Sequence, residues 1–246
     1  GNMYASPEAI INMLANANDI RPIVLVEYLY QISNSGGGMY WFTELTERFE
    51  RFQGGFVWDW QDKCLEAKDK DGKPFPAYGG DFGEPIVERC CPVHMTDQTP
   101  KPVAWELKNV QAPVQIVAGD AAKGWFKVRN RHHAIDTAGY AVSYAILENG
   151  KPIKEGRLDM PVVKRMSEGD LIKEWKDILP AKKDGCEYHV NFIVTLAKDA
   201  PWAKAGHEIS RSQYSLGAGT AVPAQPIGPC GALSLAESAS EFRISG

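Results

Sequence analysis

Glu27 carries the clearest chemical potential in this sequence. It follows the apolar run Ile23-Val24-Leu25-Val26 and precedes Tyr28. So apolar a run reads as a strand buried on both faces, as in a parallel sheet. A charge at the end of such a strand is costly unless it is paired, metal-bound or used. Chemistry gathers at the C-terminal ends of parallel strands, which makes Glu27 a candidate catalytic carboxylate.

Other reactive side chains carry less. The cysteines are Cys64, Cys90, Cys91, Cys186 and Cys230. An odd number without regular spacing argues against a disulfide framework. Cys90, Cys91 and His94 lack the paired spacing of a zinc site, and burial of the thiols is the plainer reading. His132 and His133 are adjacent, so in a strand their rings face opposite ways; they read as structural or exposed.

Elements must position Glu27, and they change in kind near residue 110. Ser6-Pro7-Glu8 predicts a helix start, with Ser as N-cap and Pro at the first helical position. Ile10, Leu14 and Ala17 continue it at helical spacing, and Asn18-Asp19 ends it. The strand to Glu27 follows. After the loop Asn34-Ser35-Gly36-Gly37-Gly38, a second helix is expected to place Trp41, Leu45 and Phe49 along one side. Gly54 to Trp60 reads as another strand, with Trp58 and Trp60 on one side and Asp59 on the other. The order helix, strand, helix, strand is that of an α/β unit. Two parallel strands cannot make a closed barrel or a doubly wound sheet, so the sequence reads as an interior segment of a larger protein.

Beyond residue 110 the pattern is all-β. Phe126 and Val128 alternate with Trp125, Lys127 and Arg129. Tyr140 to Leu147 leads into the turn Glu148-Asn149-Gly150-Lys151, and Tyr188 to Leu196 alternates again. Strands broken by turns over this length suggest an immunoglobulin-like sandwich, with Trp125, Tyr144 and Phe192 expected in its core. Residues 217–230 are rich in Gly, Ala and Pro and read as a linker. Residues 233–246 hold one or two strands that need neighbours.

Composition excludes some classes. The 246 residues carry a formal net charge of -4, with 44% hydrophobic and 24% charged residues. Nucleic-acid binders are usually basic, so a nucleic-acid partner is not expected. Nor is a membrane, because no apolar run approaches the ~18 residues that span one.

Several motifs succeed one another along the chain. They are Val26-Glu27-Tyr28, Asn34-Ser35, Gly37-Gly38 and the run Gln53-Gly54-Gly55-Phe56-Val57-Trp58-Asp59-Trp60-Gln61-Asp62. Tyr78-Gly79-Gly80-Asp81-Phe82-Gly83 and Thr99-Pro100-Lys101-Pro102 follow. So do Val128-Arg129-Asn130-Arg131 and the run from Trp202 to Glu208. In this order they resemble the large multidomain β-galactosidases of glycoside hydrolase family 2.

The resemblance implies an α/β plus all-β chain. Residues 1–109 would be the C-terminal part of a (β/α)8 TIM barrel, and residues 110–217 the immunoglobulin-like β-sandwich after it. Residues 218–246 would be a linker and the first strands of a further β-sandwich. Carried over residue by residue, Glu27 matches the nucleophile, Tyr4 the tyrosine that hydrogen-bonds it, and Trp58 a wall of the sugar site. A phenol donating to a carboxylate stabilises its charge.

There are two departures. Leu29-Tyr30 stands where the family carries Ala-His, and that histidine holds the C6 side of the sugar. Tyr30 therefore puts strict galactose preference in question. The segment Cys90 to Pro100 is shorter than the family's and lacks an Asn belonging to a sodium site, so sodium is not predicted.

The implied function is retaining hydrolysis of terminal β-galactose. The family's acid/base and magnesium ligands come from segments absent from this sequence. No cofactor is therefore expected within the chain; magnesium is expected in the complete enzyme, and the isolated chain is expected to be inert. The implied partners are a carbohydrate substrate and the rest of the enzyme, with homo-oligomerisation open. A related sugar specificity, as in a β-glucuronidase or β-mannosidase, and a non-catalytic carbohydrate-binding module are the alternatives.

Overall fold

The computed structural model describes residues 2–32, 35–83, 91–176, 179–222 and 233–245. Asn34, Cys90, Cys230 and most of the expected linker lie outside the described residues.

Strand β1 (Asn2–Met3), helix α1 (Pro7–Leu14), strand β2 (Ile23–Tyr28), helix α2 (Met39–Arg48) and strand β3 (Phe52–Val57) open the fold. The strands form one sheet in the order β1-β2-β3, parallel throughout. Three parallel strands thus stand where the sequence predicts two, because a two-residue strand has no alternation to read. Helix α1 starts as predicted: Ser6 Oγ accepts the Ala9 N–H and Pro7 leads the first turn. It stops at Leu14, short of Ala17, and Asn16 then accepts the Asn18 N–H to turn the chain.

Ile10, Leu25, Tyr28, Leu45 and Phe52 form a buried cluster between these helices and the sheet. Met3, Val26 and Phe56 stay exposed, Val26 at 47%. This corrects the expectation that β2 is buried on both faces: no layer among the described residues covers those side chains. The expected face of α2 is corrected as well. Phe42, Leu45 and Phe49 pack inward, whereas Trp41 is exposed. One residue is a rotation of ~100° about a helix, enough to carry Trp41 off the stripe that holds Phe42.

The glycine pair before Phe56 has a steric cause. A Cβ on Gly55 would sit 2.6 Å from Leu25 Cβ, so β3 can lie this close to β2 only with glycine there. Strand β3 ends at Val57, so strand alternation does not govern Trp58, Asp59 and Trp60 as the sequence predicts. A hairpin of β4 (Leu65–Lys68) and β5 (Pro74–Ala77) follows, then α3 (Pro102–Val110). Met39, Val93, Val103 and Leu107 form a second cluster, between α2 and α3.

The remaining strands are antiparallel. They are β6 (Val114–Asp120), β7 (Trp125–Asn130), β8 (Tyr140–Glu148), β9 (Lys151–Leu158), β10 (Ser167–Ile172), β11 (Glu187–Leu196) and β12 (Glu208–Ala218). They form two sheets, β10-β7-β6 and β12-β11-β8-β9. Both sheets feed one core that includes Val114, Phe126, Tyr144, Trp175, Tyr188 and Phe192. The inward Phe126 ring lies 4.8 Å from that of Phe192, centroid to centroid. Tyr144 and Phe192 are core residues as expected, but Trp125 is not: Phe126 takes that position, and Trp125 Nε1 donates to Asp170 at 2.8 Å. The β8–β9 turn behaves as read, with Asn149 and Gly150 at φ 48° and 77°, the left-handed pair that a two-residue hairpin needs. Strands β13 (Ser234–Glu237) and β14 (Phe242–Ser245) pair as a separate hairpin whose Leu235 and Ile244 face each other, exposed. No helix among the described residues is long and apolar enough to cross a membrane.

Candidate active site

Because β1, β2 and β3 are parallel, their C-terminal ends lie together. Tyr4 follows β1, Glu27 is next to last in β2, and Trp58 follows β3. Residues far apart in sequence thus meet at one end of the sheet.

Tyr4 holds Glu27 twice. Its N–H donates to the Glu27 carbonyl at 3.0 Å, and its phenol donates to Glu27 Oε2 in a short hydrogen bond. Tyr4 has φ 52° and Leu29 φ 60°. A left-handed non-glycine residue costs about 1–3 kcal/mol, so both strand ends carry strain around the carboxylate. Burial, then the bond to Glu27 and the charge of that carboxylate, push the Tyr4 phenol well above its ordinary value. Tyr4 therefore stays protonated, as a donor to Glu27 must.

Tyr30 sets its ring edge-on to Tyr4, centroids 5.8 Å apart. Tyr4, Tyr28, Leu29, Tyr30 and Phe42 line a cleft of about 550 Å³. A larger cavity, about 690 Å³, lies between α2 and the β10-β7-β6 sheet and is lined by Glu47, Arg129, Arg131 and Glu168. It contains neither Glu27 nor Tyr4.

Trp58 is half-buried, and its N–H donates to the Tyr28 carbonyl at 2.9 Å. That bond ties it to the strand that carries Glu27. The Trp58–Asp59 peptide is cis. Segment 91–94 is stitched to this loop, with Val93 N–H on Asp59 O at 2.9 Å and His94 N–H on Trp60 O at 3.0 Å. The His94 ring lies 4.5 Å from that of Trp60, so His94 packs here as a structural residue.

Sequence reasoning brings Glu27, Tyr4 and Tyr30 together as the structure does, and it sets Trp58 on the neighbouring strand end. It misses Gln31, whose buried amide donates to Pro92 O at 3.1 Å and anchors segment 91–94. A Gln next to the candidate strand end was the available signal. It also misses Lys63 beside Trp58. Among the described residues no three His, Cys, Asp or Glu side chains gather as a metal site.

The motif Val128-Arg129-Asn130-Arg131 serves the architecture. Asn130 is buried and donates to Ile135 O and Val163 O, each at 3.0 Å. Arg129 pairs with Glu168 at 2.8 Å, and Arg131 reaches Glu47 on α2 at 2.7 Å. The run ending in Glu208 makes a second link, from Glu208 to Lys108 on α3 at 2.7 Å. Together these pairs join the antiparallel region to the helices beside the site.

Comparison with known proteins agrees with both regions. Residues 2–116 match a model described as "Glycosyl hydrolases family 2, TIM barrel domain". Residues 126–217 match one described as "Beta-galactosidase, domain 4". A β-galactosidase of Priestia megaterium is 32% identical over 90% of this chain, which covers 21% of that protein. One from Psychromonas ingrahamii is 30% identical over 97% of this chain, covering 23% of its own length. One from Alteromonas mediterranea is 33% identical over 85% of the chain, covering 20% of that relative. The chain thus spans about a fifth of the curated relatives it matches. With two family models in succession and these relatives aligned along most of its length, the chain belongs to glycoside hydrolase family 2.

Proposed function

We propose that this chain is the nucleophile-bearing part of a retaining exo-β-galactosidase. The observation that carries the reading is the hydrogen bond from the Tyr4 phenol to Glu27 Oε2 at adjoining parallel strand ends. In the reaction, Glu27 Oε1 attacks the anomeric carbon. The glycosidic C–O bond breaks as the Glu27–sugar bond forms, and the leaving oxygen takes a proton from a general acid. Water then attacks the same carbon, gives its proton to the group that served as the acid, and releases Glu27 as the carboxylate. Tyr4 holds Oε2 and shares the charge that returns to the carboxylate. Trp58 offers its indole face to the apolar side of the sugar, and Tyr30 stands near C6. Tyr30, in place of the family's His, leaves strict galactose preference open.

Residues 1–109, 110–217 and 218–246 are taken as a TIM-barrel part, an immunoglobulin-like domain and a linker with the opening of a further sandwich. Exposure of Met3, Val26 and Phe56 supports the barrel reading, since further strands would cover such side chains. Two sheets around one core support the immunoglobulin-like reading. The general acid is assigned to another part of the complete enzyme, and no step is drawn through a metal. On this reading the isolated chain is inert, because general acid assistance is worth about 10²–10⁴-fold.

The test is incubation of the complete enzyme with a 2-fluoro β-galactoside, followed by digestion and mass spectrometry. The label is expected on Glu27. A label on any other residue would overturn the assignment.

A further inference from the structure

The loop after β3 contains an arrangement that the reaction scheme does not use. The Lys63 ammonium stands over the Trp58 ring, 4.2 Å from its centroid. The same ammonium pairs with Asp59 at 2.9 Å. The Asp59 side chain is only 17% exposed, whereas that of Lys63 is 58% exposed. A carboxylate so covered needs a counter-charge, and Lys63 supplies it by reaching back over the indole. The loop itself is fixed at both ends. Trp58 N–H is bonded to Tyr28 O at 2.9 Å, and Asp62 N–H to His94 O at 3.1 Å. Backbone position is thus set by β2 and by segment 91–94, while the tilt of the Trp58 ring is set by what lies on its face.

We propose that Lys63 is a positioning residue for sugar recognition: it covers one face of Trp58 and holds the indole so that the opposite face meets the apolar side of the sugar ring. The inference rests on the reading of Trp58 as a wall of the sugar site. A cation over an indole is attracted by the electron-rich face of the ring. Lys63, anchored by Asp59, therefore restricts the ring before substrate arrives, and preorganisation of this kind strengthens binding without a new contact to the ligand. It acts on binding of the sugar more than on the chemical step, because it works through the Trp58 ring.

The experiment uses the complete enzyme with Lys63→Met, Lys63→Arg, Trp58→Phe, the pair Lys63→Met/Trp58→Phe, and the pair Asp59→Asn/Lys63→Met. KM and kcat for an aryl β-galactoside are measured, with the Kd of a galactose-configured iminosugar. Lys63→Met is expected to raise KM and Kd about three- to tenfold, with kcat less affected. Lys63→Arg restores most of the loss, since Arg also stacks and pairs. Lys63→Met adds little once Trp58 is Phe, because the two act through one contact. Asp59→Asn/Lys63→Met leaves no unpaired carboxylate, so its KM stays raised. If that pair returns KM to the parent value, the Lys63→Met defect came from an orphaned charge and the proposal fails. It also fails if Lys63→Met leaves KM and Kd unchanged while Trp58→Phe weakens both. If Trp58→Phe itself changes neither, the reading of Trp58 as a wall falls, and this inference falls with it.

Discussion

The two sheet regions of this chain solve the same burial problem in different ways. In the antiparallel region, Tyr188, Val190, Phe192 and Val194 on β11 are all at or below 1% exposure. Two sheets close over them, pairing strands adjacent in sequence, such as β8 and β9, and strands distant in sequence, such as β8 and β11. In the parallel region, β2 packs Leu25 and Tyr28 against helices but leaves Val26 exposed. A parallel sheet needs long crossovers and many strands before it can enclose itself. The self-contained region therefore encloses the larger core, and the parallel region presents at its strand ends the carboxylate proposed as nucleophile.

The largest effect is expected on the open side. In the complete enzyme, Glu27→Gln should lower kcat by on the order of 10³-fold or more without moving the unfolding midpoint of the antiparallel region. Near-normal turnover would erase the functional half of the contrast. Separation of the regions tests the structural half. Residues 110–217 expressed alone should unfold cooperatively in denaturant, whereas residues 1–109 alone should bind a hydrophobic dye and melt without a sharp transition. Cooperative unfolding of the second polypeptide would show that its sheet needs no covering.

Single core residues give a smaller and quantifiable difference. Phe192→Ala should cost about 3–5 kcal/mol of stability, while Val26→Ala in the isolated chain should stay within about 0.5 kcal/mol. Equal losses by denaturant titration would contradict the exposure of Val26.

The smallest expected effect is in pH dependence, where the regions should respond at opposite ends. Arg129 beside Glu168, together with Lys127, holds that carboxyl below its usual range. Glu168 therefore contributes stability above the ordinary glutamate value, and this is lost as pH falls through its lowered one. For Tyr4 the raised value has the reverse consequence. Its contribution is present below the ordinary tyrosine value of 10.0 and fades as pH rises towards the raised one. Glu168→Gln should flatten the acid limb of the stability curve, and Tyr4→Phe the alkaline limb. If either variant leaves its limb unchanged, that partner is not the cause.

The sequence by itself determined a good deal. The α1 cap, the apolar run of β2, the Asn149-Gly150 turn and the alternation of β11 are local, and local geometry follows from residue type and spacing. Glu27 stood out because a charge ending an apolar run is rare whatever surrounds it, and Tyr4, Tyr30 and Trp58 were legible through the family motifs. Other features depended on partners that no local pattern encodes. Strand β1 exists because β2 accepts its two residues. Phe126 rather than Trp125 faces the core because that side of β7 meets Phe192 and Trp175. Trp41 is exposed because α2 must turn Phe42 and Leu45 towards β2. Gln31 anchors segment 91–94, and Lys63 lies over Trp58, because parallel pairing and the stitched loop bring those backbones together. Periodicity states which side of an element is apolar; only the tertiary structure decides what that side meets, because a contact's energy belongs to both partners and one of them is always elsewhere in the chain.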